Sequence, residues 1–135
     1  METPKATRIE RLSRRRDELA ARIQAAENRT ARRESKNDTR RKVIVGRFFQ
    51  RKYSLDGEAD VLLRLLDPFL VRPQDRSLFC LDGNQTDFYL DGLSLRGVIL
   101  IGAYFIQATP RAALVKKLEP VLVRSADRKL FGLPA

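Results

Sequence analysis

The sequence predicts an all-α protein, with a long basic N-terminal helix followed by two copies of a helical-hairpin unit of about 40 residues. Two observations carry this. No Gly or Pro occurs from Ala6 to Val45, so nothing in that stretch obliges a helix to break. Residues 66–81 (LDPFLVRPQDRSLFCL) and 118–133 (LEPVLVRSADRKLFGL) are identical at ten of sixteen positions, 52 residues apart. Upstream, Val43–Gln50 (VIVGRFFQ) resembles Ile99–Ile106 (ILIGAYFI) at an offset of 56, and Arg40 then matches Arg96. A four-residue difference in the connecting loop reconciles the two offsets, and a repeated segment of this size is a repeated supersecondary unit.

The first element is the arm. From Ile9 the apolar residues fall at Ile9, Leu12, Leu19, Ile23 and Ala26, with Arg16 and Thr30 completing a 3-4 rhythm that marks one seam along a helix. Three heptads with an Arg at one inward position make a weak coiled coil, and such a helix is marginal in isolation. It is expected either to pair with a second copy, as a homodimer through the N-terminal helix, or to fold back on the body.

Beyond Thr30 the seam fades and residues 31–53 carry nine cations against Glu34 and Asp38. On a helix Arg33, Lys36 and Arg40 share one face and Arg47 lies two turns further on, while Val43, Ile44 and Phe48 fall on another. One face would follow phosphates as the other docks into the body. Arg32, Arg33, Lys36, Arg40, Arg41, Lys42 and Arg47 are the predicted DNA contacts. Their affinity is sequence-independent, and Asn37 or an Arg in the major groove would add base reading.

Charge segregation supports that assignment. Residues 1–52 hold 17 Lys+Arg and 7 Asp+Glu, whereas residues 53–135 hold 10 of each, so the whole net charge of +10 belongs to the N-terminal part. A basic arm on a neutral body points to a polyanionic partner, most often nucleic acid.

Each body unit reads as a helical hairpin with a short third piece. In the second copy Thr109 is the expected N-cap with Pro110 at the first helical position, and Leu114, Val115, Leu118, Val121 and Leu122 form the apolar set. In the first, Asp56 is the expected cap and Leu62, Leu63, Leu65, Leu66 and Phe69 are the apolar residues. Pro68 and Pro120 either kink that helix or start a fresh turn. Pro73 and Ser125 then open a last turn, DRSLF or DRKLF, with Asp75 and Asp127 near its positive end. These carboxylates recur because the unit recurs, each with an adjacent Arg, which favours a structural role over acid–base catalysis. Cys80 matches Gly132, which points to a small, partly buried residue rather than a dedicated thiol. Between the units, residues 81–94 (LDGNQTDFYLDGLS) contain two Asp-Gly steps suited to a short hairpin.

Several functions are excluded by composition. With no His, the Ser-His-Asp and Cys-His mechanisms have no base and zinc sites lose their imidazoles. One Cys leaves no intrachain disulfide and no CxxC pair, so a reducing cytoplasm is the expected compartment. The glycines form neither GxxxxGK nor GxGxxG. No enzyme activity, cofactor or metal is expected. The start METPKATRIERLSRRR lacks the apolar run of a secretory signal. The most apolar stretch, Val98–Ile106, is nine residues long where a membrane span needs about 20, so no membrane partner is expected and this stretch should be buried core.

The run Lys36-Asn37-Asp38-Thr39-Arg40-Arg41-Lys42-Val43-Ile44-Val45-Gly46, followed by LDPFLVRPQDRSLF and again by DRKLFGLP, resembles the small conjugal-transfer proteins of the TraD/TraC type, also called MobC-like. These are short accessory proteins of plasmid mobilisation, distinct from the large coupling ATPase that shares the TraD name. The resemblance covers the arm from about Ile9 and the whole first unit. It implies a role at the origin of transfer, where accessory proteins bind DNA and help the relaxase, and it brings no catalytic residues. Arg47 and Phe48 follow Gly46 where small residues are expected. The second copy also lacks the basic run, Arg40-Arg41-Lys42 becoming Arg96-Gly97-Val98, so only the first copy should meet phosphates.

The expected organisation is therefore a basic amphipathic arm over 1–34, a first helical unit with the DTRRK segment over 35–81, a turn-rich linker over 82–95 and a second unit over 96–135. The rival to DNA binding is a coiled-coil interaction adaptor whose basic face meets an acidic partner protein such as a relaxase.

Overall fold

The computed structural model describes residues 4–81 and 89–134, and every regular element among them is helical. The elements are α1 (Pro4–Leu55), α2 (Ala59–Leu66), α3 (Pro73–Leu78), a short 3-10 turn (Leu90–Gly92), α4 (Leu95–Ala108), α5 (Arg111–Leu118) and α6 (Ser125–Leu130). Two compact units are distinguished, Met1–Lys36 and Asn37–Ala135.

The first unit is helix throughout its described residues. Its seam residues Ile9, Leu12, Leu19 and Ile23 are all at least half exposed. Within it Thr30 Oγ1 donates to the Ala26 carbonyl at 3.0 Å and Gln24 to Asn28 at 3.1 Å, bonds one helical turn apart.

In the second unit α1 ends in a Schellman turn. The Glu58 N–H reaches the Tyr53 carbonyl at 2.9 Å and the Gly57 N–H the Ser54 carbonyl at 3.2 Å, with Gly57 at φ +66°. Asp56 is thereby drawn into the end of α1. The cap of α2 is Glu58, whose carbonyl accepts from Leu62, so the expected Asp56 cap is displaced by two residues. The cap expected at Thr109 shifts as well. Thr109 closes α4 and Pro110, at ψ 138°, becomes the N-cap of α5. Pro68 and Pro120 lie just beyond the ends of α2 and α5, whose carbonyls at Leu66 and Leu118 close the following turn.

Positions that the sequence relates also correspond in conformation. α2 and α5 both have eight residues and α3 and α6 both have six, each pair starting 52 residues apart. Arg72 and Arg124 cap α3 and α6 at φ/ψ −74/134° and −75/134°. Both short helices end in Schellman turns, with Cys80 at φ 55° and Gly132 at φ 73°. Cys80 is half-buried, as its match to Gly132 suggests.

The core draws on both halves of this unit. Val45 and Ile101, Phe49 and Phe105, Leu62 and Leu114, Leu66 and Leu118, Leu70 and Leu122, and Phe79 and Phe131 are all buried. Phe49 and Phe105 stack face to face, centroids 3.7 Å apart and planes 8° from parallel. Beside this stack α1 and α4 touch backbone to backbone: a Cβ at Gly46 would strike the Val98 carbonyl, and one at Gly102 would strike the Lys42 carbonyl. Only hydrogen fits at either position. The Val98–Ile106 stretch is thus the buried α4, with Val98, Leu100, Ile101, Gly102 and Phe105 inside. Val121, expected in the apolar set, is instead 54% exposed, because Leu118 and Leu122 take the inward positions of the turn after α5. Residues 82–88, half of the hairpin expected over 81–94, lie outside the described residues. Its described end is the 3-10 turn, where Leu90 is buried and its carbonyl accepts from Gln50 at 2.7 Å.

Candidate nucleic-acid interface

The seven cations singled out in the sequence all lie on α1, and they divide by environment. Arg32, Arg33 and Lys36 belong to the first unit, exposed and without an ion pair among the described residues. Arg47, in the second unit, is likewise exposed and unpaired among them.

Arg40, Arg41 and Lys42 are held by the protein itself. Arg40 grips Asp127 of α6 through two parallel bonds, Nε to Oδ1 at 3.2 Å and Nη2 to Oδ2 at 3.3 Å. The Asp127 side chain is only 15% exposed, so its charge needs that guanidinium. Arg41 Nε donates to the Leu130 carbonyl at 2.8 Å, one of the orphan carbonyls at the end of α6. Lys42 pairs with Asp38 one turn earlier on α1, at 3.0 Å.

The Arg40 grip has a counterpart. Arg96, which matches Arg40, takes Asp75 of α3 in the same way, at 3.3 and 3.5 Å, and Asp75 matches Asp127. Each half of the unit thus supplies the Arg that neutralises the other half's Asp. The arginines adjacent to these aspartates face elsewhere. Arg76 Nη1 donates to the Leu70 carbonyl at 3.0 Å and Arg128 Nη1 to that of Leu122 at 3.2 Å, tying each short helix to the turn before it. Arg76 also reaches Asp67 at 2.7 Å. Neither Asp is an acid–base pair with its neighbour in sequence. The repeat supplies matched positions for both the acids and the bases, but by itself it does not say which of them meet, since Arg76 and Arg128 recur as well and bond elsewhere.

Two cations were left out of the predicted set although they lie on the same helix. Arg51 and Lys52 are exposed, Arg51 one turn beyond Arg47, and neither has an ion pair among the described residues. The Tyr53 phenol is raised above its ordinary value of 10.0 by burial, then by Glu58 and by Tyr104. Among the described residues no group of His, Cys, Asp and Glu is arranged to hold a metal ion, and no helix is long and apolar enough to cross a membrane.

Fold and site together define a small, basic, all-helical protein in which unpaired cations are displayed on one long helix. Among curated proteins, mobilization protein C of Escherichia coli is 39% identical over 83 residues, spanning 61% of this chain and 88% of that protein. The chain belongs to the mobilization protein C family. No protein-family model and no solved structure matches it.

Proposed function

We propose that this chain is a DNA-binding accessory protein of plasmid conjugation and mobilisation that assists a relaxase at the origin of transfer. Kinship with a mobilization protein supports the process. The DNA contact is supported by one observation above all: the entire excess charge lies in residues 1–52, and Arg32, Arg33, Lys36 and Arg47 are exposed there without a carboxylate partner among the described residues. Those four supply phosphate contacts. Arg40 and Arg41 chiefly hold α6, and the half-exposed Arg40 guanidinium and Lys42 add charge beside them.

The body is read as a tandem duplication, a fused pair of helical units. Matched helix lengths, matched caps and reciprocal Arg–Asp pairs support that reading. The exposed stripe of Ile9, Leu12, Leu19 and Ile23 supports pairing of the arm with a second copy.

The test is duplex-DNA binding as salt is raised. Four phosphate contacts predict log K falling against log salt with a slope of about −3 to −4, since each contributes about −0.9. Replacing Arg32, Arg33 and Lys36 together by Gln should make the slope shallower by about 2 to 3 and weaken all sequences alike. A slope unaltered by that triple variant refutes the assignment.

A further inference from the structure

The matched halves of the second unit differ sharply at one place. Where residues 44–55 of α1, with Asp56 just beyond its end, pass the turn after α5, the surface sinks into a hollow of ≈ 470 Å³. Its apolar lining comes from Ile44, Phe48, Leu55 and Val121, and Arg47, Arg51 and Lys52 line it too, against a single carboxylate at Asp56. The other half provides an internal control. There Phe69 stands where Val121 does, and it packs edge-on against Tyr104, the match of Phe48, with centroids 5.5 Å apart. Leu100, the match of Ile44, is 8% exposed, and the space left beside Phe69 and Leu100 is ≈ 190 Å³. The residues matching Arg47, Arg51 and Lys52 are Ala103, Gln107 and Ala108. One half closes this place with an aromatic ring and has neutral residues at the three positions that match the cations, Arg72 and Asp75 lining the small space that is left. The other leaves it open and surrounds it with cations.

Neither change serves stability. Replacing a packed Phe by an exposed Val gives up apolar burial, and three neighbouring cations repel one another. We propose that this hollow is a docking site for an acidic amphipathic helix of a partner protein, its apolar side chains entering between Phe48 and Val121 and its carboxylates meeting Arg47, Arg51 and Lys52. The volume lies within the range of about 300–1,000 Å³ typical of binding clefts. An apolar floor with a cationic border is the complement of a helix that carries anchors at i, i+4 and i+7 and acids between them. A duplex backbone offers phosphates but no apolar group to fill the floor. The site stands independently of the DNA contact, which rests on other residues except for Arg47.

The experiment uses the full chain and a fluorescein-labelled designed helical peptide with Leu at i, i+4 and i+7 and Glu between, followed by anisotropy. A control peptide has Lys in place of Glu. The Glu peptide should bind and the Lys peptide should not. Val121→Phe, which copies the closed half, should weaken binding about tenfold or more while leaving duplex-DNA affinity unchanged. Arg51→Gln together with Lys52→Ala, surface changes that also copy the other half, should weaken it and reduce its salt dependence, and these serve if Val121→Phe perturbs the fold as read by circular dichroism. Failure of the Glu peptide to bind, equal binding of the Lys peptide, or an affinity that neither variant changes overturns the proposal. So does a parallel loss of DNA affinity in Val121→Phe, which would make the hollow a nucleic-acid contact.

Discussion

Replacing Gly46 by Ala sets two physical effects of opposite sign against each other. In the interior of a helix Ala is favoured over Gly by about 1 kcal/mol, so on an isolated α1 the substitution stabilises. In the folded unit the added methyl would overlap the Val98 carbonyl, a backbone atom of α4 that cannot rotate away. The helices must separate, and overpacking of this kind costs about 1–3 kcal/mol. Separation also loosens the Phe49–Phe105 stack one turn along, worth a further ~0.5–1.5 kcal/mol. The close approach therefore wins, leaving a net loss of about 1–3 kcal/mol. For a domain of roughly 100 residues that is a fall in Tm of about 5–15 °C. Near-ultraviolet circular dichroism, which reads the packed Phe and Tyr rings, is the assay of choice because the arm's helicity does not contribute. Gly102→Ala should behave alike, its methyl meeting the Lys42 carbonyl. Since one separation relieves both clashes, the double variant should lose less than the sum of the two. An unchanged or raised Tm in either single variant would refute the backbone contact.

The reciprocal ion pairs predict matched losses. Asp127→Asn and Asp75→Asn each remove a mostly buried carboxylate from a half-exposed guanidinium, and each should lower stability by about 1–2 kcal/mol in urea unfolding. A loss in one with none in the other would contradict the equivalence. Arg40→Ala should destabilise to a similar degree, so weakened DNA binding by that variant must be read alongside its melting temperature. Cys80→Gly should stabilise by about 1 kcal/mol, because a side chain at φ 55° occupies a turn position that Gly132 fills without strain in the other half; a lower Tm would contradict this.

The helical class, the uninterrupted α1, the burial of the ILIGAYFI stretch and the concentration of charge were all legible in the chain itself. Each depends on spacing and composition that a helix translates directly into faces. Helix starts at Asp56 and Thr109 were misplaced because the local capping preference of a short polar side chain competes with the Schellman turn at Gly57 and with Pro110. Those outcomes depend on how the preceding helix ends. Among the seven cations, the sequence treats Arg32, Arg33, Lys36, Arg40, Arg41, Lys42 and Arg47 as one set, since a charge run has no marker of which members have partners. Asp127 lies 87 residues from Arg40, a separation at which only the packed chain brings acid and base together.

What the sequence alone determined is therefore a basic helix, a repeated segment in the body and the kinship that goes with its motif. Tertiary structure decided which charges have partners among the described residues and where matched positions differ in packing. Phe69 and Val121 are both apolar residues at matched positions, indistinguishable in pattern. Only packing against Tyr104 on one side, and the hollow beside Phe48 on the other, separates a closed surface from an open one. A pattern records which face a residue occupies, whereas volume and charge pairing are properties of what meets that face.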